Sequence, residues 1–133
     1  MADSPSRIER PLSPHLSIYK PLFTMMMSIV HRITGSALYV GTAILVWWLL
    51  AASTSPRAYD IFTGVAGSWF GRLVLLGYTW ALIHHALGGV RHFIWDFIHG
   101  FGPKERVWLA KATLGASLAL TVIVWIIGLA LKG

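Results

Sequence analysis

Three long uncharged runs organise the chain: no Asp, Glu, Lys or Arg stands between Arg32 and Arg57, between Arg72 and Arg91, or between Lys111 and Lys132. Each accommodates a helix of about 20 residues, the length that crosses the hydrocarbon of a bilayer. The first helix is expected to begin near Phe23, ahead of a polar cluster, and to run through the apolar stretch Ile33 to Ala52. The second extends from about residue 68 through His92-Phe93-Ile94-Trp95 to about Ile98, where Gly100 and Gly102-Pro103 stop it. The third, with Trp108 at its interfacial start, covers about 108–131. Short links between the spans predict an all-α membrane protein, three transmembrane helices in an up-down-up bundle. One membrane domain over 23–132 follows an N-terminal tail over 1–22. Ser53 to Gly71 reads as a short connection with Trp69 and Phe70 at the interface, long enough for a surface helix. No internal repeat is visible, and low complexity is limited to Met25-Met26-Met27.

Composition agrees with a membrane setting. Of 133 residues, 56% are hydrophobic and only 12% charged, whereas about a quarter of an average soluble chain is charged. Most of the seven Trp fall near the ends of apolar runs, as in the aromatic belts at headgroup level. The net charge of +6 does not point to nucleic acid, because the basic residues are dispersed around the spans and form no single stripe. Without cysteine the chain has no disulfide framework and no thiolates for an iron–sulfur cluster. The first 20 residues mix Pro, Ser and both signs of charge, unlike a signal or transit peptide, so the tail is expected to stay on the mature protein. Orientation follows from the basic residues. Arg7, Arg10, Lys20, Arg32, Arg91, Lys104, Arg106 and Lys111 lie on one side, and Arg57, Arg72 and Lys132 on the other. The positive-inside rule therefore places the N-terminus and the link after the second span in the cytoplasm.

Within the spans, ionisable residues are costly to bury and default to a functional reading. A helix rises about 1.5 Å per residue, so Ser28, His31 and Arg32 lie roughly 8 to 14 Å, and Arg91 and His92 roughly 9 to 11 Å, inside the cytoplasmic helix ends. His85 is deeper, at roughly 20 Å, and shares a face with His92 two turns away. Standing roughly 10 Å apart, these two cannot bind one zinc ion at bonds of about 2 Å. A haem suits the arrangement: a deep His on the iron, cationic groups near the propionates, and Gly88-Gly89 leaving room for a flat macrocycle or a neighbouring helix. A histidine hydrogen-bonded to a neighbouring helix, with glycines serving helix packing, accounts for the same residues. Ser28, His31 and Arg32 likewise have two readings: donors to quinone carbonyls, or an Arg snorkelling to headgroups beside a Ser bonded to its own backbone.

Three motifs in order carry a resemblance: Arg10-Pro11-Leu12-Ser13-Pro14-His15-Leu16-Ser17-Ile18-Tyr19, then Ser28-Ile29-Val30-His31-Arg32-Ile33-Thr34-Gly35, then His85-x6-His92. Together they closely resemble the cytochrome b556 family of succinate dehydrogenase, the larger haem-binding membrane anchor of respiratory complex II, from about Arg10 to Asp96. The third span matches only in hydropathy. The resemblance implies that His85 is the axial ligand of haem b and that His31, Arg91 and His92 lie near its propionates. Adjacent His84 is rotated about 100° from His85 and so faces elsewhere. The family's quinone site carries over to Ser28 and Arg32, with Asp96 nearby.

Implied partners are a second small anchor sharing the haem, an iron–sulfur subunit onto which the tail docks, and a flavoprotein. FAD and iron–sulfur clusters reside only in those partners, ubiquinone is the substrate of the membrane site, and no catalytic residue is expected in this chain. The implied setting is the inner membrane of a bacterium, crossed several times. Because His31 is expected about 10 Å too shallow to reach the iron, the second axial ligand is assigned to a partner helix. Two alternatives explain part of the pattern. A fumarate reductase anchor runs similar chemistry in reverse, although its diheme form needs four axial His at paired depths. A small non-redox membrane adaptor explains the spans and basic tail, but not a polar layer above a deep His.

Overall fold

The structure, a computed structural model, describes residues 11, 13 and 18–132. The motif beginning at Arg10, and the tail expected to dock on soluble subunits, lie mostly outside the described residues. Four helices follow: α1 (Phe23–Thr54), α2 (Pro56–Gly67), α3 (Trp69–Asp96) and α4 (Pro103–Lys132). Of these, α1, α3 and α4 are long and apolar enough to cross a membrane. The connection between the first two spans is the short helix α2, packed against α1 and α3.

Local chemistry sets the boundaries. Ser55 accepts the Ala58 N–H and Pro56 takes the first helical position of α2, while Ser68 accepts the Gly71 N–H to open α3. At Gly71 a Cβ would collide with the Val65 carbonyl, so only glycine permits so sharp a reversal from α2 into α3. α4 starts five residues before the expected 108, because Pro103 suits a helix start and the Glu105 carboxylate accepts the Gly102 N–H at 3.1 Å. Reading the start from hydropathy missed this charged first turn. α3 ends at Asp96, two residues short of Ile98. There Ile98 turns left-handed (φ 60), donating its N–H to Trp95 O while His99 donates to Ile94 O, a Schellman closure. A β-branched residue is strained in that conformation, and Ile98 is 83% exposed. Ile98→Gly should therefore stabilise the protein by about 1 kcal/mol, read as a higher thermal unfolding midpoint of the purified membrane complex.

The bundle is apolar outside and small or polar inside. α1 buries Met27, Thr34 and Gly41 at seven-residue intervals; α3 buries Ala81, His84, Gly88 and Arg91; α4 buries Ala110, Thr113, Ser117 and Thr121. With lipid as solvent there is no hydrophobic gain in hiding Leu or Ile, so small residues and hydrogen-bonding side chains occupy the contacts between helices. Most of these hydroxyls are self-satisfied: Thr34, Thr113 and Thr121 each donate to a carbonyl one turn back. α3 is the central element, packed against both α1 and α4.

Candidate functional site

The two adjacent histidines of α3 face different helices. His84 is 1% exposed and points at α4, its Nδ1 3.1 Å from Ser117 Oγ; the Trp80 indole N–H donates to the same oxygen at 3.2 Å. Ser117 is wholly buried and donates its proton to Leu114 O. Its lone pairs are then the acceptors for Trp80 and His84, so His84 is held as a structural group.

His85 faces α1. Its Nδ1 lies 3.1 Å from the carbonyl oxygen of His31 and 3.5 Å from Thr34 Oγ1. A carbonyl can only accept, so Nδ1 carries the proton and Nε2 keeps its lone pair. Ligating histidines are commonly fixed by this arrangement, one ring nitrogen donating to the backbone and the other left basic. Gly35 makes room for the ring: a Cβ there would come within 2.9 Å of His85 Cε1.

The expected separation of His31 from His85 is not observed. Their imidazoles stack in parallel, with centroids 4.1 Å apart and planes 2° from coplanar. Along the α1–α3 seam Gly88 faces His31, Gly35 faces His85 and Gly41 faces Tyr78. The backbones of His31 and His85 thus differ by only about one helical turn, which the side chains bridge. Counting inward from helix ends misjudged both the end of α3 and this reach. Gly88 is also less open than expected, since the His31 ring covers it; of the Gly88-Gly89 pair, Gly89 has no neighbour within 4 Å of a Cβ position among the described residues.

Toward the α3 C-terminus, Ser28 and His31 of α1, Arg91, His92 and Trp95 of α3, and Arg106 of α4 line a cavity of about 240 Å³. Among the described residues no acidic side chain borders it. Arg91 is 6% exposed, with its guanidinium 5.3 Å from the Trp95 ring centroid, and His92 meets Trp95 edge-on. Three buried donors or acceptors here have no partner among the described residues: His31 Nδ1, Arg91 Nε and Trp95 Nε1. Leaving each unsatisfied costs about 1–3 kcal/mol, so three around one basic cavity point to a bound group rich in acceptor oxygens. Carboxylates meet that requirement. A whole macrocycle does not fit within this volume and would have to be shared with a neighbouring surface.

Of the expected site residues, Ser28, His31, Arg91 and His92 come together at the cavity, with His85 stacked beneath His31. Arg32 and Asp96 are exposed and stand outside it. Trp95, Arg106 and Ser117 were not anticipated. The spacing of Thr113, Ser117 and Thr121, four apart in an otherwise apolar span, was the available signal for Ser117.

A family model described as the succinate dehydrogenase/fumarate reductase transmembrane subunit matches residues 6–127. The chain is 40% identical over 127 residues to the succinate dehydrogenase cytochrome b556 subunit of Paracoccus denitrificans, covering 96% of this chain and 97% of that one. It is 34% identical over 118 residues to the subunit of the same name from Rickettsia prowazekii (strain Madrid E), covering 89% and 92%. To the succinate dehydrogenase cytochrome b560 subunit of Reclinomonas americana it is 32% identical over 125 residues, covering 90% and 87%.

Proposed function

Because this chain belongs to the family of succinate dehydrogenase/fumarate reductase transmembrane subunits, we propose that it is the larger haem-binding anchor of a succinate:ubiquinone oxidoreductase. In this role it fixes the soluble subunits to the inner membrane of a bacterium, supplies one axial ligand of haem b, and forms part of the quinone site. The observation that carries the reading is the basic cavity with three orphaned polar atoms beside a histidine whose proton is already committed.

The residues present fit the cofactor. His85 would offer Nε2 to the iron, its ring held by the His31 carbonyl and by the space at Gly35. His31, Arg91 and His92 would receive the propionates, relieving Arg91 of its uncompensated burial. When bound, a b-type haem supplies a one-electron redox centre tuned by its axial ligands and neighbouring charges. His31 would not hold the iron in this reading, because its ring is stacked on the face of the His85 ring. The second axial ligand is assigned to a second membrane anchor, which also completes the enclosure.

Ser28 lines the cavity, where its hydroxyl can donate to a quinone carbonyl. Arg32, one turn on, and Asp96, at the end of α3, border the exposed side from which a partner subunit would close the site. The excess of basic residues at this end supports a cytoplasmic side for it, together with the N-terminal tail and the α3–α4 link. Oxidation of succinate is assigned to a flavin in one partner and relay to clusters in another, in keeping with a chain that has no cysteine. The chain is not catalytic by itself.

The test uses the complex purified through a tag on this chain, assayed with succinate against ubiquinone and against a soluble acceptor that takes electrons upstream. Ser28→Ala and Arg32→Leu are each expected to lower quinone reduction about tenfold, the loss of one hydrogen bond to substrate, while the soluble acceptor is reduced as before. Equal losses in both assays would reassign these residues to assembly. A complex without flavin would overturn the reading as a whole.

A further inference from the structure

The opposite end of the bundle carries a recess that quinone and haem do not use. Arg72, near the start of α3, and Lys132, at the end of α4, border a cavity of about 520 Å³ whose outer edge is formed by Thr63 and Gly67 of α2. Both cations reach it because α3 begins, and α4 ends, at the same face of the bundle. Its inner wall of Leu75, Trp125 and Leu129 is shared with a second cavity of about 330 Å³, which continues between α3 and α4 past Thr79, Val124 and Gly128.

Charge is confined to the mouth. Thr79 and Trp125 lie seven residues from Arg72 and Lys132 respectively, so the slot reaches roughly 10 Å below the cations. Trp125 donates its indole N–H to Thr79 Oγ1 at 3.3 Å, and Thr79 donates to Leu75 O. The polar groups of the slot thus satisfy one another, and its wall is otherwise apolar. Gly128 has nothing within 4 Å of a Cβ position, which leaves a channel along the α4 side.

We propose that this groove binds one anionic phospholipid, with its phosphate between Arg72 and Lys132 and an acyl chain in the slot past Gly128. Charge complementarity selects the occupant. Among the described residues no acidic side chain lines either cavity, so a headgroup carrying its own cation would set that cation beside two others. A quinone has the right tail but a neutral head, which gains little from paired cations. Placed where hydrocarbon meets headgroups, Arg72 and Lys132 can hold the phosphate while their stems stay in the apolar layer.

Retention of lipid by the purified complex after detergent exchange tests this, with phosphatidylglycerol, phosphatidylcholine and inorganic phosphate added back separately. The unaltered complex should retain about one anionic lipid per copy of this chain, a stoichiometry set by one groove with one pair of cations. Phosphatidylglycerol should compete for it, and phosphatidylcholine and free phosphate should not. The double variant Arg72→Gln/Lys132→Gln should bind phosphatidylglycerol roughly thirtyfold more weakly, the loss expected of two interfacial cations. Gly128→Leu fills the slot without altering charge and should also expel the lipid, which keeps the proposal testable if the double variant does not assemble. Equal binding of phosphatidylcholine, unchanged retention in either variant, or capture of a partner helix by a photocrosslinker at position 128 would overturn it.

Discussion

The His85→Ala complex should lose its low-spin b-type spectrum, with haem affinity reduced by about a hundredfold or more, since disturbing even the groups behind a metal ligand costs 10- to 100-fold. The expectation rests on His85 having its Nδ1 proton committed to the His31 carbonyl while its ring lies against Gly35 beside the basic cavity. His84→Ala is the informative contrast. It should keep the spectrum and instead weaken the α3–α4 contact by about 1–2 kcal/mol, because the Ser117 hydroxyl loses one of its two side-chain partners. An unaltered spectrum in His85→Ala would exclude this ligand. Expression of the chain alone with added haem bears on the second ligand: a stable bis-histidine spectrum without any partner would exclude a shared site.

Gly88→Leu should be the most damaging single change on the α1–α3 seam. A Cβ at this position meets the His31 imidazole, and that ring is confined between His85, stacked at 4.1 Å, and His92 at 5.6 Å. The leucine can enter only by prising α1 from α3 or by driving His31 into the cavity. Overpacking of this kind costs about 1–3 kcal/mol, and here it falls beside the proposed haem site. Recovered complex, haem content and quinone reduction should therefore fall together. Gly77→Leu, on the same helix with no neighbour within 4 Å, controls for the loss of a glycine and should leave all three intact within about twofold, as expected of a site away from any packed contact. If both variants behaved alike, the close approach at Gly88 would not be what holds the seam.

What could be read from the residues divides by physical cause. The uncharged core of each span is bracketed by Arg32 and Arg57, by Arg72 and Arg91, and by Lys111 and Lys132, so the three spans were legible although their helices run past most of these charges. The α4 start was missed because Pro103 and Glu105 open a helix by capping chemistry, to which hydropathy is insensitive. Ser28, His31, Arg91 and His92 could be assigned to one level from the rise of a helix, and the structure gathers them around one cavity. That level does not say which way each side chain leans, so the His31–His85 stack was not foreseen. Arg32 was grouped with Ser28 from sequence proximity and motif, yet it stands about 100° around α1 from His31 and is exposed beside, not within, the cavity. Arg106 belongs to a helix whose place in the bundle no periodicity could supply.

The convergence of Trp80, His84 and Leu114 on one buried hydroxyl also works as a rotational index. A smooth apolar helix can spin about its own axis in lipid at little cost, and a turn of about 100° would exchange the outlooks of His84 and His85. Ser117 removes that freedom: α3 has one azimuth at which both the indole and the imidazole find their acceptor. A single side chain on α4 thereby decides which of two neighbouring imidazoles looks out toward α1.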